Sequence, residues 1–597
     1  MNEQGRRESP LFFVCGIGYC RTVSQDNHLA HDLQREMRAS LAAVTGGIAP
    51  DDYVNAWWDW YFHLSADSNK QSAMAKSAAD ATVAAWKFAM QAATGRMLAP
   101  VTTDKRFSSP AWSQWPFNLY AHTYLSWSSW WQESLKSSVG VAPKNAELME
   151  FMGRQILEAA SPANHLPTNP ELLELTRAES GQNLLRGFQH WLDDAGRVLK
   201  RDVASPTASK FAVGRDLGVT PGKVVLRNDL IELIQYAPQG DAVHAEPILI
   251  TPAWIMKYYI MDLSPANSMV RYLVEQGHTV FMISWKNPTR TDRNLGMDDY
   301  LQLGIFDALD AVTTIVPDVR VHAAAYCIGG TLMLIAAAAL AQRGDQRLAS
   351  LSLLAAQADF SEPGELSLFI SPSQLAMLEA VMHKAGVLGS DKMAASFAML
   401  RSQDLMWTPA INTYIKGKRD EPNDLMAWNA DGTRMPWRMH TEYLNKLYLK
   451  NELANGEFIA AGARIDLKRI ELPMFVVGTE TDHVAPWKSA YKTRGLTRSP
   501  DYTFVLTSGG HNAGIVSGPS HPRRRHRWLT WHDAASSLPP EEWHEKATLT
   551  AGSWWPSWQR WLAEHSTSER VAPPTLGSAT SAYTPLCDAP GTYVHQK

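Results

Sequence analysis

The chain has 597 residues, enough for two to four domains of about 150 residues each and for a large buried core. Its 56 Lys and Arg residues nearly balance 60 Asp and Glu residues, so the net charge of −4 gives no electrostatic basis for wrapping nucleic acid or binding anionic lipid. No apolar run approaches the roughly 18 residues that a membrane span needs. We therefore expect a soluble globular protein with no transmembrane segment and no nucleic-acid partner.

The cysteines are too few and too scattered for a disulfide framework or a four-ligand zinc site, which favours a reducing compartment: Cys15, Cys20, Cys327 and Cys587. We expect no metal and no cofactor. An apolar stretch follows Arg6 and Arg7, but acidic residues lie close by and no clean cleavage site follows, so we do not expect export. The 23 tryptophans fit either a tryptophan-rich core or an apolar surface for an apolar partner.

Residues 1–215 are predicted to form a helical N-terminal region. Between about residues 27 and 191 the sequence is rich in alanine, and its apolar side chains recur at helical spacing, for example from Trp57 to Leu64. Prolines interrupt this pattern, which predicts broken helices that lie over another domain: Pro110, Pro116, Pro162, Pro167 and Pro170.

A different pattern begins after Phe211, where short β-branched runs alternate with helical ones. This alternation predicts an α/β fold with a mostly parallel sheet covered by helices on both faces. The predicted strands are residues 222–229, 231–237, 247–252, 278–285, 320–326, 348–355, 472–478 and 502–507. The strand pattern ends near His511.

The gap between the sixth and seventh predicted strands holds about a hundred residues, too many for an ordinary connection. We therefore predict a cap insertion at residues 361–465, above the active edge of a catalytic domain made of residues 216–360 and 466–565. A tryptophan-rich helix at residues 554–562 closes that domain. The Ser-, Thr- and Pro-rich residues 566–597 predict a loosely ordered tail.

Cys327 lies where a buried-strand pattern runs into a helical one, flanked by the small residues Ala325, Gly329 and Gly330. This is the pattern of a nucleophile elbow, a strained turn that projects its nucleophile. The next backbone N–H, here that of Ile328, then faces the developing oxyanion. The pattern is weak alone, because a small residue and a glycine around a cysteine recur by chance.

Asp482 and His511 each follow a predicted strand, and nucleophile, acid, histidine is the chain order of the α/β-hydrolase arrangement. We predict that the three side chains meet at one sheet edge. His511 would deprotonate Cys327, and Asp482 would fix the His511 tautomer. The alternative is a structural cysteine with a capping aspartate and an unrelated loop histidine.

Other residues have structural interpretations. His483 is expected to point away from the site, and His322 to be a core histidine with its hydrogen bonds satisfied. The basic run at residues 523–527 fits a solvated face better than a phosphate site for a nucleotide-bearing substrate. Cys15, Cys20 and Cys587 lie in segments that we expect to be peripheral.

With these residues assembled, the chain resembles the polyhydroxyalkanoate synthases, most closely the class I type that polymerises short (R)-3-hydroxyacyl-CoA. The likeness covers nearly the whole chain through residues 161–164, 168–170, 220–225, 252–259, 267–285, 326–332, 428–431, 482–487, 510–511 and 588–591. The chain departs from the family pattern at Ala325, where glycine is usual, and at Gly509 and Asn512 beside the histidine.

The resemblance implies an α/β-hydrolase fold with Cys327, Asp482 and His511 as catalytic residues and Asp431 as an auxiliary cap residue near the site. A second oxyanion N–H is expected from residues 253–255, at Ile255, since in this fold that donor follows a strand.

The resemblance further implies (R)-3-hydroxyacyl-CoA, such as 3-hydroxybutyryl-CoA, as substrate and a growing polyester as product. It implies a cytoplasmic protein on polyester granules, with a homodimer and granule-coating proteins as partners. The helices at residues 57–64 and 554–562 are candidates for touching the granule, or else pack on the catalytic domain. A polyester or acyl-CoA thioester hydrolase with the same triad remains the alternative, and a non-catalytic scaffold is a second one that the intact triad disfavours.

Overall fold

The computed structural model describes residues 37–38, 49–94, 102–136, 138–200, 210–393, 399, 402–419, 421–578 and 582–597. Arg6, Arg7, Cys15 and Cys20 lie outside the described residues. Within these ranges, no helix combines the length and the apolar character needed to span a membrane.

The N-terminal region is helical, as predicted, over its described residues. Its helices are α1 Pro50–Ala66, α2 Ser68–Ala93, α3 Phe117–Leu135, α4 Pro143–Ala159, α5 Pro170–Ala178 and α6 Gln182–Lys200. Prolines begin α1, α4 and α5, where the missing N–H would have no intrahelical partner anyway. The proline-rich stretches between helices form single 3₁₀ turns at Pro110–Ser113 and Pro162–Asn164.

These helices lie against residues 361–465, the predicted cap. The Arg154 guanidinium lies 2.5 Å from the Glu365 carboxylate, and Asn183 donates to the carbonyl oxygen of Ile415 at 2.9 Å. Leu368 joins an apolar cluster with Trp60 and other side chains of α1, α3 and α4. The predicted packing of broken helices over another part of the chain is therefore present, and the cap is their partner.

Eleven strands in the described part of the chain form one sheet. They are β1 Gly222–Arg227, β2 Ile231–Tyr236, β3 Ile248–Thr251, β4 Val280–Trp285, β5 Val321–Tyr326, β6 Leu348–Leu354, β7 Met474–Thr479, β8 Tyr502–Thr507, β9 Arg525–Trp531, β10 Thr548–Ala551 and β11 Cys587–Asp588. Their spatial order is β10-β9-β8-β7-β6-β5-β3-β4-β2-β1-β11. Neighbours among β3 to β8 pair in parallel, and the remaining pairs are antiparallel. All eight predicted strands are present.

The α-helices that follow α6 and have at least four residues, within the described ranges, are α7 Met269–Glu275, α8 Asp307–Ile315, α9 Ile328–Gln342, α10 Pro372–Ala385, α11 Asp424–Asn429, α12 Trp437–Glu442, α13 Trp487–Tyr491, α14 Thr493–Leu496, α15 Pro540–Lys546 and α16 Trp555–Glu564. Successive residues of β5 face opposite sides: Ala325 joins the core that contains α8 and α9, and Tyr326 joins the core that contains α7 and α16. The sheet is therefore covered on both faces.

The expectation that the strand pattern ends near His511 is wrong, because β9 and β10 extend the sheet beyond β8. β9 lies next to the edge strand β10, and most of its side chains are exposed or half-buried, although His526 and Trp531 are buried. Its charged residues suggested a solvated face, whereas the central parallel strands are apolar on both faces.

The tail also differs from the loose segment that was expected. β11 pairs with β1, and the backbone N–H groups of Thr592 and Tyr593 donate to Glu232 at 2.8 and 2.9 Å. Glu232 is fully buried in β2, and Arg227 lies 2.6 Å from it. Because a buried carboxylate needs several donors, these tail residues have a fixed structural role.

The tryptophans of α16 belong to the core, which corrects the hypothesis that this helix touches a granule. Trp555 and Trp558 are 1% and 0% exposed, whereas Trp57 on α1 is 43% exposed. Trp558 also donates through Nε1 to the Ser352 hydroxyl at 2.8 Å.

We expect Trp558→Ala to lower the free energy of unfolding by about 3–5 kcal/mol, because it leaves a large cavity in the core. Trp57→Ala should change it by no more than roughly 0.5 kcal/mol, as a surface substitution does. Denaturant melts followed by circular dichroism measure both. Equal losses in the two variants would contradict the assignment of α16 to the core.

Candidate active site

Cys327 occupies a sharp turn between β5 and α9, with φ 56° and ψ −130°. A positive φ is strained for a residue with a side chain and is found at sites where the surroundings enforce it. The Cys327 N–H donates to the carbonyl oxygen of Leu354 at 2.9 Å, and the Gly330 N–H donates to the carbonyl oxygen of Cys327 at 2.9 Å. The side chain therefore projects at the carboxyl edge of the sheet, as the sequence predicts.

The residues after Cys327 must be small because other segments of the chain pack closely against them. A Cβ at Gly329 would lie 2.6 Å from the carbonyl oxygens of Thr251 and Pro252. A Cβ at Gly330 would lie 2.4 Å from the Cβ of Ala356. Both glycines allow α9 to begin directly against the neighbouring strands.

Gly329→Ala is expected to lower the thermal midpoint and the activity together, since its methyl group meets two backbone carbonyls and overpacking costs about 1–3 kcal/mol. Gly196→Ala is the matched control: Gly196 lies in α6, and its added Cβ would have no neighbour within 4 Å. That control should be neutral or slightly stabilising, since alanine is the better helix former. A thermal midpoint for Gly329→Ala at or above the wild-type value would show that the turn tolerates a side chain.

Asp482 and His511 meet beside this turn, each on a loop after a parallel strand. Nδ1 of His511 lies 2.7 Å from Oδ2 of Asp482. The Asp482 carboxylate also accepts from the Thr479 hydroxyl at 3.0 Å and from the N–H groups of Val484 and Ala485 at 2.9 and 2.8 Å. Four donors thus fix the carboxylate.

The electrostatics of this pair favour a charged aspartate. Burial alone would raise the pKa of Asp482, but the His511 ring and the Ala485 and Val484 N–H groups lower it below its usual value. Burial alone would lower the pKa of His511, but the Asp482 carboxylate and the Cys327 side chain opposite raise it well above its usual value. The imidazole therefore lies between the Asp482 carboxylate and the Cys327 side chain.

A small cavity of about 20 Å³ lies over Cys327. Tyr443 and Tyr448, from the predicted cap, line it together with Phe360, Gln357 and Val484. The Tyr443 hydroxyl donates to that of Tyr448 at 3.3 Å. The insertion thus lies over the sheet edge, and its aromatic side chains cover the thiol.

Tyr443 and Tyr448 were not among the site residues predicted from the sequence. They lie in the π-helical turn Tyr443–Leu449. On an α-helix, the side chains of two residues five positions apart point in directions that differ by about 140°. In a π-helix, whose hydrogen bonds join residues i and i+5, the two side chains point in similar directions. No spacing rule for α-helices or strands would have paired these two tyrosines.

Of the other predicted site residues, Ile328 lines the cavity, whereas Asp431 and Ile255 do not. The Asp431 carboxylate accepts from the Tyr259 hydroxyl and from Nζ of Lys597, each at 3.0 Å, and Asp431 does not line the cavity at Cys327. Ile255 lies in the loop after β3, where Thr433 of the cap donates to the carbonyl oxygen of Trp254 at 2.9 Å. Ile328 is the first residue of α9 and lines the cavity.

The structural interpretations of the remaining residues agree with their positions. The His322 ring is buried between the hydroxyls of Ser350 and Ser566, at 2.7 and 3.0 Å, which confirms a satisfied core histidine. His483 is exposed. Cys587 is half-buried on the edge strand β11.

One arginine of the basic run contacts the loop that carries His511. Arg523 and Arg525 are exposed, as expected of a solvated face. Arg524 instead donates to the carbonyl oxygens of Ser508 and Ala513, at 3.1 and 3.0 Å, on the loop that carries His511. This arginine supports the histidine loop.

Comparisons with known proteins show the fold and the family of the chain. A model described as poly-beta-hydroxybutyrate polymerase (PhaC) N-terminus matches residues 103–273, and an alpha/beta hydrolase fold model matches residues 246–517. Among solved structures, a Paleococcus ferrophilus monoacylglycerol lipase aligns with 56% of this chain and 99% of its own at 11% identity and a TM-score of 0.31, too low to carry an argument.

Sequence relatives extend over most of the chain. It is 40% identical to a poly(3-hydroxyalkanoate) polymerase of Methylorubrum extorquens, across 85% of this chain and 83% of the relative. It is 35% identical to the poly(3-hydroxyalkanoate) polymerase subunit PhaC of Cupriavidus necator, across 83% of both chains. The chain has an α/β-hydrolase fold and belongs to the poly(3-hydroxyalkanoate) polymerase family.

Proposed function

We propose that this protein is an acyltransferase that polymerises (R)-3-hydroxyacyl-CoA, such as 3-hydroxybutyryl-CoA, into a polyester and releases CoA. The observation that carries the proposal is the meeting of Cys327, His511 and Asp482 at one sheet edge. A relative that is 40% identical is named poly(3-hydroxyalkanoate) polymerase, which supports the substrate class.

In the first step, His511 takes the proton of the Cys327 thiol, and the sulfur attacks the thioester carbonyl. The CoA thiolate leaves and receives that proton from His511, so a Cys327 acyl thioester and free CoA are formed. One thioester replaces another at little free-energy cost, and the acyl group stays activated for a second transfer.

In the second step, the 3-hydroxyl of the next monomer or chain gives its proton to His511 and attacks the acyl thioester. An oxoester forms, and the Cys327 thiolate leaves and recovers the proton from His511. Because an oxoester is more stable than a thioester, elongation is downhill. Asp482 supports the imidazolium that forms in both steps.

Two backbone N–H groups are assigned to the tetrahedral oxyanion, those of Ile328 and Ile255. Ile328 begins α9, and the first N–H groups of a helix have no acceptor within it. Ile255 follows β3, which pairs with the nucleophile-bearing β5. Asp431 is assigned an auxiliary role in the cap, where it ties Tyr259 and Lys597 together.

Incubation of the purified protein with (R)-3-hydroxybutyryl-CoA tests this function. Free thiol measured with a chromogenic disulfide and polymer recovered by solvent extraction should both increase, with about one CoA released per monomer incorporated. CoA release with free 3-hydroxybutyrate and no polymer would instead identify a thioester hydrolase. Release of neither product would favour a non-catalytic scaffold.

We further propose that the protein works on polyester granules in the cytoplasm and touches them through α1. Trp57, Trp58, Tyr61 and Phe62 are exposed there, with Trp57 stacked on Tyr61 at 5.2 Å between ring centroids. A cluster of exposed aromatic side chains suits an apolar phase. Homodimers and granule-coating proteins stay proposals from the family resemblance.

Replacing Trp57, Trp58 and Phe62 by glutamine should move the protein from the granule pellet to the soluble fraction without changing the initial rate of CoA release. Trp555 and Trp558 are left out because they are core residues. A triple variant that stays with the granules would place the contact elsewhere.

A further inference from the structure

Tyr326 has a place in the site that the mechanism above does not use. It is the last residue of β5 and directly precedes Cys327. Its ring is buried, with its centroid 5.4 Å from that of the His511 imidazole, and its hydroxyl donates to Oδ1 of Asn512 at 2.5 Å. One side chain thus runs from the nucleophile turn to the residue after the histidine.

Other side chains hold the His511 loop from the opposite side. Trp554 and Trp555 donate through Nε1 to the carbonyl oxygens of Gly514 and Ile515, at 3.1 and 2.8 Å, and Arg524 donates to Ala513. These contacts tie the loop to α16 and β9. Among the described residues, only Tyr326 joins it by a side-chain hydrogen bond to the strand that bears the nucleophile.

We propose that Tyr326 is a positioning residue that sets the distance between the Cys327 thiol and the His511 imidazole through its hydrogen bond to Asn512. The proposal rests on the proposed function, since it concerns the proton transfers between these two groups. His511 must exchange protons with the sulfur in both acylation and elongation, and misplacement of reacting groups by about 1 Å can cost roughly 100-fold in rate.

The chemistry of the contact suits a permanent link. Burial, with the nearby Cys327 and Asp482, raises the pKa of the Tyr326 hydroxyl well above its usual range. The hydroxyl therefore stays protonated and donates throughout the working pH range. An asparagine oxygen accepts this bond without a charge of its own, so the contact fixes the loop and leaves the Asp482 carboxylate as the charged partner of His511.

The test uses Tyr326→Phe, which removes one oxygen atom, Asn512→Leu, which removes the acceptor at similar size, and the double variant. Tyr502→Phe is the matched control, because Tyr502 is a buried tyrosine on β8 whose hydroxyl has no hydrogen-bond partner among the described residues. The readouts are kcat and KM for CoA release, the thermal midpoint, and the pH dependence of Cys327 alkylation by iodoacetamide, quantified by peptide mass.

We expect each single variant to lose about 10-fold in kcat with little change in KM, and the double variant to lose no more than the worse single one, since both remove the same contact. The rate of Cys327 alkylation at neutral pH should fall in proportion to kcat in these variants, while Tyr502→Phe behaves as wild type. Losses that multiply in the double variant, or a lower thermal midpoint with unchanged kcat and alkylation, would overturn the proposal. If the wild type forms no polymer, the proposed function fails, and the alkylation comparison still tests the Tyr326 contact.

Discussion

Replacing Cys327 by alanine should lower CoA release from 3-hydroxybutyryl-CoA by at least about 10⁴-fold, to background, because no other group at the turn can form the acyl-enzyme. The backbone should tolerate the change, since alanine is smaller and the turn is held by hydrogen bonds of the Cys327 N–H and carbonyl oxygen. Stopped-flow detection of CoA measures the first turnover as well as the steady state. Polymer made by this variant would refute the thioester mechanism.

Cys327→Ser gives a sharper version of the same test. A serine could accept one acyl group, but the product is an oxoester that is no longer activated toward the next hydroxyl. We therefore expect at most one slow release of CoA per protein and no elongation. Cys587→Ala should retain wild-type turnover, since Cys587 lies on the edge strand β11. Sustained polymerisation by Cys327→Ser would mean that the activated acyl group is carried elsewhere.

The elements that the sequence predicts well share a physical property. The strands β3 to β8 pair in parallel and are buried on both faces, so most of their residues are apolar, as in Met474–Thr479. The strands at this end of the sheet lack this property. In β9, next to the edge strand β10, Arg525 is exposed and Arg527 is half-buried, and a short run with these charges resembles a solvated loop.

Long-range pairing explains the error at the tail. Its composition is that of a flexible segment, and the partner that orders residues 592–593 is Glu232, about 360 residues earlier in the chain. A buried carboxylate needs hydrogen-bond donors, and this need holds the tail in place. The sequence of residues 566–597 does not reveal it, because the carboxylate lies on β2.

The residues of the candidate site also fall into two groups, those that the sequence predicts and those that it does not. Cys327, Asp482 and His511 could be placed together because each follows a recognisable strand, and the carboxyl ends of parallel strands share an edge. Tyr443 and Tyr448 could not, because they reach the cavity through a π-helical turn inside the cap. Tyr326 resembled an ordinary strand residue, and only the hydrogen bond to Asn512 sets it apart.

Asp482→Asn should slow turnover by roughly 10⁴-fold while leaving the fold intact. The asparagine amide can donate to Nδ1 of His511, which would put the ring proton on Nε2 and prevent that nitrogen from accepting the thiol proton. The carboxylate also supports the imidazolium that forms in both steps. Glu480→Gln is the control on the same loop, because Glu480 pairs with the exposed Arg525 at 3.2 Å instead of with His511.

The pH profile separates the loss of charge from a simple loss of structure. Asp482 raises the pKa of His511 well above its usual value. The wild-type rate should rise with pH as His511 loses its proton and becomes a neutral base. This rise should therefore lie above roughly pH 6.5, the pKa of an ordinary histidine. Removing the carboxylate lowers this pKa, and the rise of the residual activity should move to lower pH. The shift is measured from initial rates of CoA release between about pH 5 and pH 9, a range that spans about two units on either side of the ordinary histidine pKa. If the rise of the residual activity with pH does not move in Asp482→Asn, another group supplies the base. A His511 whose pKa stays the same without Asp482 cannot be the imidazole that the carboxylate supports.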